Sequence, residues 1–200
     1  MDKKKTYTDI ELLNLTSGDE ENFRFAFDEI YARYSKQVYS YCNGMLNNRF
    51  LAEDVFQETF AGFFIKVRNR HDIDNILAFL IGIARNHCRN QIRNRKLTLP
   101  LDMESLIVDE RSHAEKNELF DLVVSSLALL DEKYREVFIL KEFEGLTNEE
   151  VSNICGLTKE GVRSRLHRAF IKIREILAPY LEDLSSTNIE NKMKDKHHGI

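Results

Sequence analysis

Apolar positions along the first half of the chain recur at spacings of three and four, the period of a helix that buries one face. Phe27, Ile30, Tyr31, Tyr34, Val38 and Tyr41 mark one such stripe, and Phe56, Phe60, Phe63 and Phe64 mark another within residues 51–67. A short helix capped by Thr8 or Asp9 precedes them and runs to about Leu13, where Ser17-Gly18-Asp19 breaks it. Asn47-Asn48 reads as a turn, the polar stretch 69–74 as a second interruption, and a further helix spans about 76–95. Residues 97–116 contain Pro100 and few periodic positions, the pattern of a linker with room for a turn or two of helix near Ser105. Helical patterns resume at about 118–130, 131–143, 148–155 and 159–177. Pro179 closes the last of them, and the polar residues 182–200 read as a disordered tail. No strand pattern competes and no repeat is visible. The expectation is an all-α chain of two small helical domains, 8–96 and 117–181, joined by the linker 97–116.

The second half carries the sharpest local pattern, LTNEEVSNICGLTKEGVRSRLHRAFIKI. Thr147 followed three residues later by Glu150 is a capping box, and Val151 and Ile154 give the helix an inward face. Gly156 suits the left-handed residue that ends a helix, and Thr158 caps the next one. Val162, Leu166, Ala169, Phe170 and Ile173 then line one side, with Ser164, His167 and Arg168 opposite and Arg163 and Arg165 flanking them. A helix-turn-helix whose second helix has a buried stripe and a guanidinium-rich outer face is shaped for the major groove. The plain alternative is a solvated helical hairpin.

Charge sharpens this picture more than composition does. The chain has 200 residues, 42% of them hydrophobic, with eight Gly, two Pro and a formal charge of −4. The overall sign argues against a uniformly basic nucleic-acid binder, but the distribution is uneven. Residues 85–96 hold Arg85, Arg89, Arg93, Arg95 and Lys96 with no acid, and residues 159–176 hold six basic residues against Glu160 and Glu175. Between them, residues 102–121 hold seven acids against Arg111 and Lys116, so two basic surfaces flank an acidic linker. Three widely spaced cysteines, Cys42, Cys88 and Cys155, suggest no disulfide framework or zinc spacing and fit small buried hydrophobes. His197-His198 are too few to imply a metal, and no cofactor motif is present. No signal sequence or transmembrane-length apolar run is found, so the chain reads as cytoplasmic without membrane insertion.

Two further segments are candidates for binding. Leu80, Ile83, Ala84, Cys88 and Ile92 form one arc of the helix at 76–95, and Arg85, Arg89 and Arg93 lie on the other side with Asn86 and Asn90 beside them. Arginines supply phosphate contacts and asparagine pairs a donor with an acceptor for a base edge. Salt bridging to acidic surfaces such as the linker is the other reading. In AEDVFQETF, Glu53, Asp54, Gln57 and Glu58 project together. They suit a solvated face, acid–base or metal work given partner ligands that are not spaced nearby, or a surface complementary to another protein's basic helix.

AEDVFQETF, then FLIGIARNHCRNQIRNRK, then LLDEKYREVFILKEFEGLTNEEVSNICGLTKEGVRSRLHRAFIKIREIL, in this order, resemble the extracytoplasmic-function sigma factors of bacterial RNA polymerase over residues 8–177. The resemblance implies a region-two and a region-four domain, promoter DNA and core polymerase as partners, no catalytic residue, and a linker that runs toward the RNA exit path. Some members are held inactive by an anti-sigma factor, a further possible partner. It implies that Glu53, Asp54, Gln57 and Glu58 dock on the clamp helices of the largest polymerase subunit. It implies that Asn86 holds a flipped-out base of the minus-ten element and that Arg85, Arg89, Asn90 and Arg93 hold the strands around it. Arg163, Ser164, Arg165, His167 and Arg168 match the recognition helix for the minus-thirty-five element. The chain departs from the family at four places: Phe79 stands for a usual Trp, Asp131 for a common Pro at a helix start, Ser152 for Ala, and Glu160-Gly161 for Gly-Thr or Gly-Ala. Against this stand a helix-turn-helix regulator that binds DNA by itself, and an α-helical enzyme using Glu53, Asp54 or His87.

Overall fold

The computed structural model describes residues 7–68, 73–98 and 118–196, and contains α1 (Asp9–Leu15), α2 (Glu20–Leu46), α3 (Arg49–Val67), α4 (Ile76–Thr98), α5 (Glu118–Ala128), α6 (Glu132–Phe138), a π-helical turn (Ile139–Phe143), α7 (Asn148–Cys155) and α8 (Lys159–Lys196). The described residues form no strand, as the all-α reading expects. Residues 99–116 of the expected linker lie outside the described residues, and 97–98 belong to the end of α4.

Polar residues set the boundaries of the first four helices. Thr8 accepts from the Glu11 amide while the Glu11 carboxylate accepts from the Thr8 amide at 2.7 Å, so a capping box opens α1. Asp19 Oδ1 caps α2 by accepting from the Asn22 amide at 2.9 Å. At the expected turn, Asn47 takes φ 45° to end α2, and Asn48 accepts from the Leu51 amide to start α3. Asparagine tolerates that left-handed backbone better than most residues with a side chain. The helices α2, α3 and α4 then pack on one another around Phe23, Ile30, Val38, Phe63, Ile76, Leu80 and Ile81, all buried.

The aromatic stripe of α3 divides. Phe60 and Phe63 are buried, whereas Phe64 is 40% exposed and meets Phe23 edge-on at 4.7 Å. Four aromatic side chains within nine residues subtend too wide an arc for one helix face to cover.

The second group of helices departs from its expected outline twice. The single helix expected at 131–143 becomes α6 and a π-helical turn, in which the Glu144 amide bonds the Ile139 carbonyl at 3.0 Å, five residues back. Asp131 precedes α6 without capping it; its φ of −52° lies close to the value that proline's ring imposes, so the backbone start is preserved and the side-chain bond is not used. The second departure is the end of α8. Its backbone stays helical past Pro179 to Lys196, where the disordered tail was expected to start at 182. Pro179 removes one hydrogen bond, but extending an established helix avoids the nucleation cost, and residues 182–196 include good helix formers such as Glu, Leu, Lys and Met.

The two groups touch directly. The side of α2 that carries Tyr41 and Gly44 meets the π-helical turn, and α4 meets α7. A Cβ on Gly44 would lie 2.8 Å from the Ile139 Cδ1, so a side chain at 44 would force the fully buried Ile139 side chain to shift. Cys42 and Cys88 are buried free thiols in the first core, and Cys155 is half-buried, in keeping with small apolar fillers.

Candidate nucleic-acid interface

The helix-turn-helix follows from its local chemistry. Thr147 and Glu150 form the expected capping box, with the Glu150 carboxylate accepting from the Thr147 amide at 2.7 Å. Gly156 ends α7 at φ +66°, and the Ser152 hydroxyl donates to the Leu157 carbonyl across the turn, a contact that Ala at this position could not make. Thr158 caps α8 by accepting from the Gly161 amide at 3.0 Å. Val162, Ala169 and Ile173 are buried, Leu166 is half-buried, and Phe170 sits at the margin of the stripe, edge-on to Phe138 at 5.3 Å.

This packing aims the opposite side outward. Arg163, Ser164, His167 and Arg168 are exposed and Arg165 is half-buried. Glu160 comes within 4.0 Å of Arg163, both highly exposed, a contact worth little in water. Arg168 is drawn toward the Tyr134 hydroxyl on α6. The outer face therefore presents charge and donors with few internal commitments.

On α4 the expected row divides. Asn86, Arg89, Asn90 and Arg93 are exposed, with Arg93 donating to the Asn90 side-chain oxygen at 3.3 Å and Arg89 lying 3.9 Å from Glu132. Asn86 faces an open cleft of about 1060 Å³, lined also by Phe79, Ile65 and Lys66 from one helical group and Glu150 and Asn153 from the other. Arg85 does not share this exposed face. Its guanidinium holds the Glu136 carboxylate at 2.7 and 3.3 Å, with 14% of its side chain exposed and 5% of the glutamate's. The row was drawn from α4 alone, and a carboxylate from α6 covers its first member.

Around this pair lies a small polar network. The Tyr41 hydroxyl donates to Glu136 Oε1 at 3.3 Å, and burial, then the nearby carboxylate, push its pKa well up, so it stays a donor. Cys155 Sγ lies 3.6 Å from Glu136 Oε2. Burial works against the Arg85 charge, but hydrogen bonding and attraction to Glu136 outweigh it and raise its pKa. A second bridge joins the N-termini of two helices: Asn75 caps α4 through its oxygen at 2.8 Å and donates its side-chain nitrogen to Glu150 at 2.6 Å. Glu136, Tyr41, Asn75 and Glu150 were not expected to act together. A glutamate inside the apolar stretch Tyr134–Leu140 was the one visible signal, and its partner could not be read without the fold.

The acidic helix α3 keeps its surface. Asp54, Gln57 and Glu58 are exposed and Glu53 is half-buried. Glu53 pairs with Arg49 at 2.8 Å, and Glu58 with His87 Nδ1 at 2.8 Å. His87 is half-buried on α4, and its ring nitrogen is committed to this acid. Phe50, 77% exposed, lies at the start of the same helix beside this surface.

Comparison with known proteins accounts for both helical groups. Residues 30–98 match the model of sigma-70 region 2, and residues 120–173 match that of sigma-70 region 4. The sigma factor CarQ of Myxococcus xanthus is 29% identical over 160 residues, covering 76% of this chain and 89% of CarQ. The extracytoplasmic-function sigma factor SigM of Bacillus subtilis is 28% identical over 153 residues, covering 74% of this chain and 93% of SigM. Among solved structures, the sigma factor RpoE of Bartonella quintana, in complex with the anti-sigma factor NepR, shares the fold with a TM-score of 0.65 at 22% identity, over 76% of this chain and 96% of RpoE. A stand-alone regulator would leave the region-two match without a purpose, and an enzyme is not called for, since factors of this kind direct initiation while the core polymerase performs the chemistry. The chain belongs to the extracytoplasmic-function sigma factors, which bind core RNA polymerase and promoter DNA to start transcription.

Proposed function

We propose that α8 reads the minus-thirty-five element through Arg163, Ser164, Arg165, His167 and Arg168, and that α4 holds the melted minus-ten strand. Asn86 clasps an extruded base, while Arg85, Arg89, Asn90 and Arg93 hold the backbone around it. The observation that carries this reading is the exposure of Asn86 in a cleft beside the aromatic ring of Phe79, on the same helix as three outward polar residues, Arg89, Asn90 and Arg93. An unpaired base needs such an edge-reading group and a surface to lie against, because extrusion costs a few kcal/mol. Phe79 supplies a ring without the indole donor of the family's usual Trp.

The acidic face of α3, with Asp54 and Gln57 exposed between the paired Glu53 and Glu58, docks on a basic helical surface of the core enzyme. No described helix is long and apolar enough to cross a membrane, and the site of action is the cytoplasm, with the polymerase. An anti-sigma factor, as in the RpoE–NepR complex, is a further partner of the same surfaces. The family resemblance implies a stress or envelope response as its regulon.

Run-off transcription with purified core polymerase and a promoter library tests the whole assignment; initiation should occur only with this chain present, at sites sharing two spaced elements. Arg163→Ala and Arg168→Ala should each weaken promoter binding by about 1–3 kcal/mol where a bidentate base contact is lost, and an unchanged footprint upstream would remove α8 from recognition. Asn86→Ala should lower open-complex formation, followed by permanganate reactivity, more than it lowers co-elution with core. Equal loss of both would count against a base pocket.

A further inference from the structure

Beyond the face assigned to base reading, positive charge gathers on the side of α8 that meets the start of α6. The ammonium groups of Lys133 and Lys172 stand 4.9 and 5.8 Å from the centre of the Tyr134 ring, and the Arg168 guanidinium donates to the Tyr134 hydroxyl oxygen. Hydrogen bonding from Arg168, then the charge of Lys133, holds that hydroxyl's pKa below the ordinary tyrosine value, the mark of a positive local field. Among the described residues, none of these three cations is paired with a carboxylate. Like charges drawn together without an acid make a place that an anion stabilises.

We propose that Lys133, Tyr134, Arg168 and Lys172 seat one backbone phosphate of the promoter duplex beside the minus-thirty-five element. The inference rests on the reading role given to α8 and extends the contact surface to α6. In a helix-turn-helix the N-terminal residues of the second helix meet the base edges. At about 1.5 Å per residue, Lys172 stands ~13 Å beyond Arg163 along α8, close to the ~12 Å width of the major groove. A helix that enters the groove through Arg163 and Ser164 therefore brings Lys172 to the groove wall, where the phosphates run. Arg168 uses the Tyr134 oxygen and leaves its proton free, and a tyrosine hydroxyl is itself a phosphate donor. Such a seat grips every sequence equally, so it fixes the register of α8 while Arg163 and Ser164 discriminate bases.

The test uses holoenzyme assembled from core polymerase and the full chain, on a duplex bearing the minus-thirty-five element of a promoter that the chain transcribes. Lys133→Gln combined with Lys172→Gln should weaken binding several-fold, by the same factor on that element and on a scrambled one. The slope of log K against log[salt] should fall by about 1, the share of one phosphate. Replacing duplex phosphates one at a time by uncharged methylphosphonate should find a position that weakens the wild type and leaves the double variant unaffected. Tyr134→Phe keeps the ring and removes the donor, so it should blunt the loss at the same position even where the lysine variant fails to fold. Wild-type affinity and salt slope in the folded double variant, or no such position, would overturn the proposal. Inorganic phosphate that raises the melting temperature of the wild type alone, with no methylphosphonate position silent in the double variant, would assign the site to free phosphate and overturn it too. Arg163→Ala keeps the two ideas apart. If discrimination between the true and scrambled elements survives it, the reading role of α8 fails and the seat falls with it; if discrimination is lost while the lysine variant binds as the wild type does, only the seat fails.

Discussion

Burying a carboxyl group is costly unless something answers its charge, and Glu144, just after the π-helical turn, has little to do so. It is 5% exposed, and neither oxygen has a regular hydrogen-bond partner. Burial pushes its pKa up to about 7, with the Ser40 side chain on α2 offsetting only part of the cost. A carboxyl whose folded pKa exceeds its unfolded value stabilises the fold at low pH. That stability is lost as pH rises from the unfolded value of 4.5 to the folded one of about 7. The packing of α2 against the turn should therefore weaken over that window by up to about 3 kcal/mol. Thermal unfolding at pH 5.5 and pH 8 should show the wild type losing stability, and Glu144→Gln should flatten the difference. A slope unchanged by the substitution would place the titrating group elsewhere.

Helix ends explain much of what could be read in advance. Thr8, Asp19, Asn48, Thr147, Thr158 and Gly156 each act at a boundary through a short-range contact, and four of them were visible as caps or stops in the sequence. Such contacts span three or four residues, so the local pattern contains all the information. The π-helical turn and the passage of α8 through Pro179 were not legible, because neither depends on a local signal. The turn is stabilised by Ile139 and Leu140, buried in packing that includes α2, and an α-helical reading fits the same apolar spacing. Thr147→Ala should cost about 1 kcal/mol by removing the cap, and Gly156→Ala a similar amount from strain at its positive φ. Urea denaturation would measure both, and a Gly156→Asn variant should recover part of the second loss.

For the molecule as a whole, fold class and the outward polar faces of α4 and α8 were legible, and the relation between the two helices was not. Charge runs and periodicity placed Asn86, Arg89 and Arg93 on one outer face and Arg163 and Arg168 on another, because each face belongs to a single helix. The pairing of Arg85 was not legible because its partner, Glu136, stands 51 residues away in the chain, beyond the acidic segment. No periodicity within either segment records that meeting.

The π-helical turn bears on where α7 and α8 point. A wide turn places one more residue between its flanking segments than an α-helix would need. Each helical residue advances the chain by about 100° around the axis. Deleting one residue within Ile139–Phe143 would restore α-helical winding and leave α7 and α8 near their present direction, whereas inserting one more would swing them around the axis of α6. The direction of α8 therefore tolerates the loss of one peptide unit at this turn and not the gain of one, so length changes here should be asymmetric in their effect on the second helical group.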